Sequence, residues 1–393
     1  MSAQQGDLAL VMGGGGARAA YQVGVLRSIA RRYPQLRVPI LTGVSAGAIN
    51  TAFLATASGD FEQRIARLTN LWTGLTPDRV FSSDTFVLLR TAMRWGVRLV
   101  SGGKRITPQP QGMVDTTPLR EFLVNALESK DGELVGVANN LRNGGLQACG
   151  LTTTDYATGR SVTHVQSNGA PTWRRANRFS VETKLRVDHV MASAALPLFF
   201  PAIKVGDSWH GDGGIGLTAP LAPALHLGAE RILAISTRYE PKPSELVVPL
   251  TADYPPPAQV VGLLMNAIFL DMLDADAMNL DRINHLLEQL PEHQRQGLRP
   301  ASLLMLRPSR NIAAYAGEYE PRLPQPFKFL MRGTGTKETK SPESLSMVMF
   351  EPTYISRVIE LGEQDADKRA GEIAAFLEGE SSPGLQATGF WRV

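Results

Sequence analysis

Leu8-Ala9-Leu10-Val11-Met12 runs directly into Gly13-Gly14-Gly15-Gly16, and from there into Ala17 to Arg32. An unbroken apolar run of this length suits a strand buried on both faces, and consecutive glycines suit a loop. Beyond the loop, Tyr21, Val25, Leu26 and Ile29 share one helical face. Arg27 points away from that face, and Arg31 and Arg32 fall at the C-terminal end, where cations complement the helix dipole. The unit is predicted as strand, loop and helix. A second one follows at once. Pro39 to Val44 reads as another short buried strand, Gly43-Val44-Ser45-Ala46-Gly47 as a sharp turn, and Ala48 to Ala57 as a helix. Two strand-to-helix units in succession predict an α/β fold with a mainly parallel central sheet and helices on both faces, a three-layer α/β/α arrangement.

Further along, Leu146 to Thr154 and Arg160 to Gln166 flank Asp155-Tyr156-Ala157-Thr158-Gly159 and read as a hairpin. Val187 to Ala195 is helical up to Leu196-Pro197, and Ile203 to Val205 pairs with Ser208 to His210 across Gly206-Asp207. A second glycine-rich loop, Gly211-Asp212-Gly213-Gly214, follows directly, and Arg231 to Thr237 is another strand of parallel type. After that the composition changes. Glu240 to Pro257 is proline-rich, Ala258 to Leu290 has a long helical pattern expected to pack as core or cap, and Tyr354 to Leu377 is helical. The division expected is a catalytic core over 1–240 and a mostly helical C-terminal extension over 241–393, with a mobile polar segment near 332–346.

With 393 residues, 43% of them apolar, the chain closes a large core without disulfides or metals. Forty basic residues against 37 acidic ones leave +3, too small an excess for the continuous positive stripe of a nucleic-acid surface. Cys149 stands alone and the six histidines show no zinc spacing, so no metal or cofactor is expected. The N-terminus has no basic region leading into a secretory segment, and the apolar run Val260 to Leu270 is about half the ~20 residues that span a bilayer. A cytoplasmic setting is the expectation.

The chemistry concentrates on the turns. Gly43-Val44-Ser45-Ala46-Gly47 fits G-x-S-x-G, in which a strained strand-to-helix turn presents a serine hydroxyl to the dipole end of the following helix. A structural turn serine is the competing reading. Gly13 to Gly16 can aim backbone N–H groups at an oxyanion, with Arg18 as a fixed cation that holds the loop, neutralises a phosphate or faces solvent. The same stretch also satisfies G-x-G-x-x-A, a dinucleotide pattern, but the next strand ends in the serine turn where that fold needs an acidic residue. None of the histidines lies beside a glycine-rich turn. His210 comes nearest, two residues before Asp212. Asp212, among Gly211, Gly213 and Gly214, is a candidate base; a carboxylate with an ordinary pKa is a weak base at pH 7, so that role requires burial or a helix dipole to raise it. A plain Asp-Gly turn is the alternative.

Taken together, these motifs resemble the patatin-like phospholipase family in its bacterial form over roughly the first 215 residues. Gly13-Gly14-Gly15-Gly16-Ala17-Arg18 resembles the family's oxyanion loop, with Ala19 where glycine is common. Gly43-Val44-Ser45-Ala46-Gly47 resembles its nucleophile elbow, Asp212-Gly213-Gly214 its D-G-G/A motif, and Ala192-Ser193-Ala194-Ala195-Leu196-Pro197 its A-S-x-x-x-P block. The resemblance implies Ser45 as nucleophile and Asp212 as the second member of a Ser–Asp dyad. It also implies hydrolysis of acyl esters of phospholipids or lysophospholipids through an acyl-serine, with no obligatory metal. A catalytically quiet relative that binds lipid or protein in the same cleft is the alternative. For contact with a membrane surface, Phe86 to Arg105 is the candidate, because Arg90, Arg94 and Arg98 recur among apolar residues.

Overall fold

The computed structural model describes residues 7–82, 112–197, 199–241, 272–323 and 343–379, together with 260, 262–264 and 267. In chain order its strands are β1 (Leu8–Met12), β2 (Ile40–Val44), β3 (Ala148–Asp155), β4 (Ser161–Ser167), β5 (Arg178–Glu182), β6 (Ile203–Val205), β7 (Ser208–Asp212), β8 (Arg231–Ile235) and β9 (Ser302–Leu306). The helices that matter below are α1 (Ala20–Arg32), α2 (Ala46–Thr56), α3 (Phe61–Thr73), α4 (Thr117–Ala126), α5 (Val187–Ser193), α6 (Met272–Glu288), α7 (Glu343–Val348) and α8 (Pro352–Lys368).

These strands form one sheet in the order β5-β4-β3-β2-β1-β8-β9, with β6 and β7 attached beside β3. β3, β2, β1, β8 and β9 are mutually parallel, while β3 pairs antiparallel with β4 and β7. All five residues of both β1 and β2 are buried, as expected for strands covered on two faces. One face packs a large cluster containing Leu10, Met12, Leu41, Phe53 and Trp72; the other packs a smaller one containing Val11, Ile40, Leu221, Ile232 and Leu273. Alternate residues of the same strand thus feed opposite layers.

The C-terminal region is mostly helical, but it also supplies β9, which pairs with β8 along five residues from Arg231↔Ser302 to Ile235↔Leu306. An unprotected parallel edge at β8 would expose ladder groups, and β9 covers it. Of the polar segment expected to be mobile near 332–346, residues 332–342 lie outside the described residues, whereas Glu343 to Ser346 belong to helix α7, in which Ser344, Leu345 and Ser346 are buried. Helix α6 buries Leu273, Ala277, Leu280 and Leu287, yet leaves Met278, Ile283 and Leu286 exposed, so only one of its stripes packs. Phe86 to Arg105 lies outside the described residues. No helix among those described is long and apolar enough to cross a membrane.

Helix α8 packs on α1 at backbone contact. A Cβ on Gly24 would sit 1.9 Å from the Ile359 carbonyl oxygen, and one on Gly362 would sit 2.2 Å from that of Tyr21. Around this seam Ser28 Oγ donates to Asp367 (2.6 Å) and Arg32 pairs with the same carboxylate (2.8 Å). Gly→Ala in an open helix is stabilising by up to about 1 kcal/mol, whereas overpacking costs ~1–3 kcal/mol. Urea unfolding should therefore show Gly24→Ala destabilised and Gly371→Ala, whose Cβ meets nothing within 4 Å, neutral or stabilised.

Candidate active site

The register of β3 determines what meets at its C-terminal end. β2 stops at Val44, paired with Thr152; the next β3 residue, Thr153, pairs with Asp212 at the end of β7. The other edge of β3 is occupied by β4 through the same residues, so β7 must lie on the β2 side. β2 and β7 therefore abut end to end, and Ser45 and Asp212, distant in sequence, leave the two strands at neighbouring positions.

Ser45 is the residue between β2 and α2, with φ 55° and ψ −133°, outside the conformations a non-glycine residue ordinarily adopts. Close packing holds it there. A Cβ on Gly47 would lie 2.2 Å from the Met12 carbonyl oxygen, and one on Gly43 would lie 2.2 Å from Thr51 Oγ1. The Ser45 N–H donates to Ser193 Oγ (3.0 Å), whose hydroxyl donates to the Thr152 carbonyl (2.6 Å), so α5 is coupled to the turn.

Asp212 has no exposed surface. Its carbonyl accepts from Thr154 Oγ1 (2.8 Å), its N–H donates to Ala195 O (3.1 Å), and Oδ1 accepts from Gly214 N–H (2.9 Å). Oδ2 is buried without a hydrogen-bond partner. Burial pushes the carboxyl pKa up to about 7, opposed by the Ser45 hydroxyl and the Gly214 amide. The serine thus stands near enough to favour the charge without completing a well-formed bond to Oδ2. Gly213 is required for the approach, since a Cβ there would lie 2.1 Å from Thr152 O.

The glycine run passes over the serine. A Cβ on Gly14 would sit 2.9 Å from Ser45 Cβ and 3.5 Å from its Oγ. The carbonyl of Gly13 accepts from Gln22 Nε2 (2.8 Å) and that of Gly14 from Thr237 Oγ1 (2.6 Å). In a trans peptide the next N–H points opposite to the carbonyl, so anchoring these two oxygens aims the amides of Gly14 and Gly15 the other way. Gly15 and Gly16 have φ of 139° and 57°, positions that favour glycine. Two expected oxyanion contributors are corrected. Gly13 donates its N–H to Ile235 O (3.4 Å), which extends the β1–β8 ladder by one residue. Arg18 is buried with its guanidinium committed to Ser346 Oγ (2.7 Å), to Glu343 O (2.8 Å) and to the Glu343 carboxylate; it clamps α7 and is not an oxyanion donor.

The histidine that came nearest in sequence is occupied elsewhere. His210 Nδ1 and His164 Nε2 both bond Thr153 Oγ1, at 2.9 and 3.0 Å, and the His164 ring lies 4.4 Å from that of His189. Burial lowers the pKa of all three, that of His189 to about 4, which keeps them neutral near pH 7. No cluster of three or more His, Cys, Asp or Glu suited to a metal ion occurs among the described residues.

Two apolar cavities meet the site from opposite faces of the sheet. One, with about 40 Å³ of free internal space, has Ser45, Ile49, Trp72, Leu119, Phe200 and Phe350 in its walls. The other, also with about 40 Å³ of free internal space, is bounded by Gly14, Val44, Gly214, Leu217, Thr237 and Leu273. Sequence reasoning missed Gln22, Thr237 and Asn50, which donates to Gln22 Oε1 (2.9 Å). For Gln22 and Asn50 the signal available was a polar residue on an otherwise apolar helical face, whereas Thr237, just past β8, carries none.

The family model for patatin-like phospholipase matches residues 10–225. No curated protein matches the chain. Among solved structures, VipD from Legionella pneumophila is similar at 13% identity and a TM-score of 0.40, over 96% of this chain and 68% of that one. Human GIVD cytosolic phospholipase A2, in complex with methyl gamma-linolenyl fluorophosphonate, is similar at 14% identity and a TM-score of 0.45, over 96% of this chain; this chain spans 59% of that one.

An acid whose folded pKa is raised weakens the fold as pH rises through the window between its unfolded and folded values, here from about 4 to about 7. Asp212→Asn removes that penalty. Its thermal midpoint relative to the parent should improve between pH 5 and pH 8; a constant difference would show that the carboxyl titrates normally.

Proposed function

The chain belongs to the patatin-like phospholipase family, and from that membership we propose that it is a serine hydrolase that cleaves fatty-acyl esters of phospholipids or lysophospholipids through a Ser45–Asp212 dyad. The observation that carries this reading is the abutment of β2 and β7 on β3, which sets a strained serine beside a buried carboxylate whose pKa is about 7. A base of that pKa suits proton transfer near neutrality.

In the proposed reaction Ser45 Oγ attacks the ester carbonyl and its proton passes to Asp212 Oδ2, the buried oxygen without a partner. The C–O π pair moves onto oxygen, where the Gly14 and Gly15 amides meet it. Collapse breaks the ester C–O bond, and the leaving alkoxide takes the proton from Asp212, which leaves an acyl-serine. Water then attacks, giving its proton to Asp212. Collapse returns that proton to Ser45 and releases the fatty acid. The apolar walls of the cavity beside Ser45 match the chemistry of an acyl chain.

An alkyl fluorophosphonate should label Ser45 in the parent and not in Ser45→Ala, as read by peptide mass spectrometry. A folded parent left unlabelled would favour a lipid-binding relative without turnover. On a water-soluble ester, log kcat/KM should climb with pH and level off above about 7, the value for Asp212. Gly14→Ala places a methyl against the nucleophile and displaces an amide donor, so kcat should fall by about 10²–10³.

A further inference from the structure

Arg18 joins the glycine loop to a segment more than three hundred residues away. Its side chain is almost fully buried, and three of its contacts fall on α7: Nε to Ser346 Oγ, and a terminal nitrogen to both the Glu343 carbonyl and the Glu343 carboxylate. Ser346 Oγ also donates to the Glu343 carbonyl (2.6 Å), so the side chain and backbone of this turn are held as a unit. The loop and helix touch at backbone distance as well. A Cβ on Gly16 would lie 2.0 Å from the Met347 carbonyl oxygen. A desolvated guanidinium is tolerated only when paired with a carboxylate and further acceptors in this way.

The consequence falls on the cavity. Met347, Val348 and Phe350 follow the clamp directly and line the Ser45 cavity together with Ile49, Trp72 and Phe122. None of the three belongs to the region that matches the family model, which ends at residue 225. We propose that Glu343–Phe350 is the chain-length specificity element of this site: Met347 and Phe350 limit how much of an acyl chain enters beside Ser45, and Arg18 is the positioning residue that fixes them to the glycine loop. This rests on the acyl-hydrolase reading.

Two measurements test it. In Ser45→Ala protein, nitroxide-labelled fatty acids from decanoate to stearate should quench the fluorescence of Trp72, and Trp72→Phe should lose that quenching. In catalytically intact protein, kcat/KM is measured for p-nitrophenyl esters from butyrate to palmitate. Each methylene newly buried is worth roughly fourfold in affinity. Met347→Ala and Phe350→Ala should therefore shift both profiles toward longer chains, expressed for esters mainly in KM. Arg18→Lys keeps the charge but loses the fork and should flatten the profile; Phe350→Leu, which keeps most of the apolar bulk, should restore most of the parental one. Unchanged profiles in both alanine variants overturn the inference, as does absence of fatty-acid binding in Ser45→Ala protein. A shifted binding profile in a protein that neither cleaves esters nor reacts with fluorophosphonate upholds the cavity role and removes the hydrolase reading instead.

Discussion

Among the described residues no cation pairs with the buried carboxyl of Asp212, and the arrangement at the sheet's C-terminal end follows from making that tolerable. Asp212 is fully buried, one of its oxygens accepts only from Gly214, and the other accepts from nothing. Isolation of this kind normally drives a carboxyl to its neutral form, and a pKa near 7 is the partial result. What stops the shift from going further is the Gly214 amide bonded to Oδ1 and the polar Ser45 hydroxyl standing near the carboxyl without a formed bond to Oδ2. Both are present because β7 ends where β2 ends, on consecutive residues of β3. The base strength of Asp212 is therefore a property of strand register before it is a property of the residue.

Register alone does not bring the backbone close enough. The turn after β1 and the turn after β2 lie against each other at a separation no side chain would permit, with Gly47 under the carbonyls of Met12 and Gly13, and Gly213 against Thr152. Each of these glycines forgoes a side chain so that a neighbouring carbonyl can pass. The strain at Ser45 is held by that packing and by the Ser193 hydroxyl, which ties the turn to α5. Strain of this sort persists only where the surroundings over-determine it.

Much of this is legible in the sequence, for identifiable reasons. β1, β2 and α1 could be read because an apolar run, a glycine loop and a helical stripe are local patterns, and Ser45 and Asp212 stood out because glycines surround them. The β6–β7 hairpin could be read from Gly206-Asp207. What could not be read is whatever depends on pairing across long separations. Nothing local in Ser302 to Leu306 says that it extends the sheet beyond β8. Nothing local in Arg18 says that its partners are Glu343 and Ser346, so of its possible roles the sequence cannot single out holding the loop over donating to an oxyanion. The commitment of the Gly13 N–H is hidden for a similar reason, since the strand ladder runs one residue past the last apolar side chain.

The same long-range pairing explains how the glycine loop can be rigid at all. A run of four glycines is the most flexible sequence available, and flexible donors must be reoriented when charge develops, which cancels their electrostatic advantage. Here the donors are fixed through the opposite ends of their own peptide groups. Gln22 on α1 holds the Gly13 carbonyl, Thr237 beyond β8 holds the Gly14 carbonyl, and Arg18 bolts the following turn to α7. Gln22 is itself oriented by Asn50, and Asn50 by the Trp72 indole (2.6 Å). Helix α1, the end of β8 and the C-terminal helix α7 therefore each restrain a loop that has no side chains of its own with which to restrain itself. A polar residue conspicuous on an apolar helix, such as Gln22, is the form this restraint takes in the sequence.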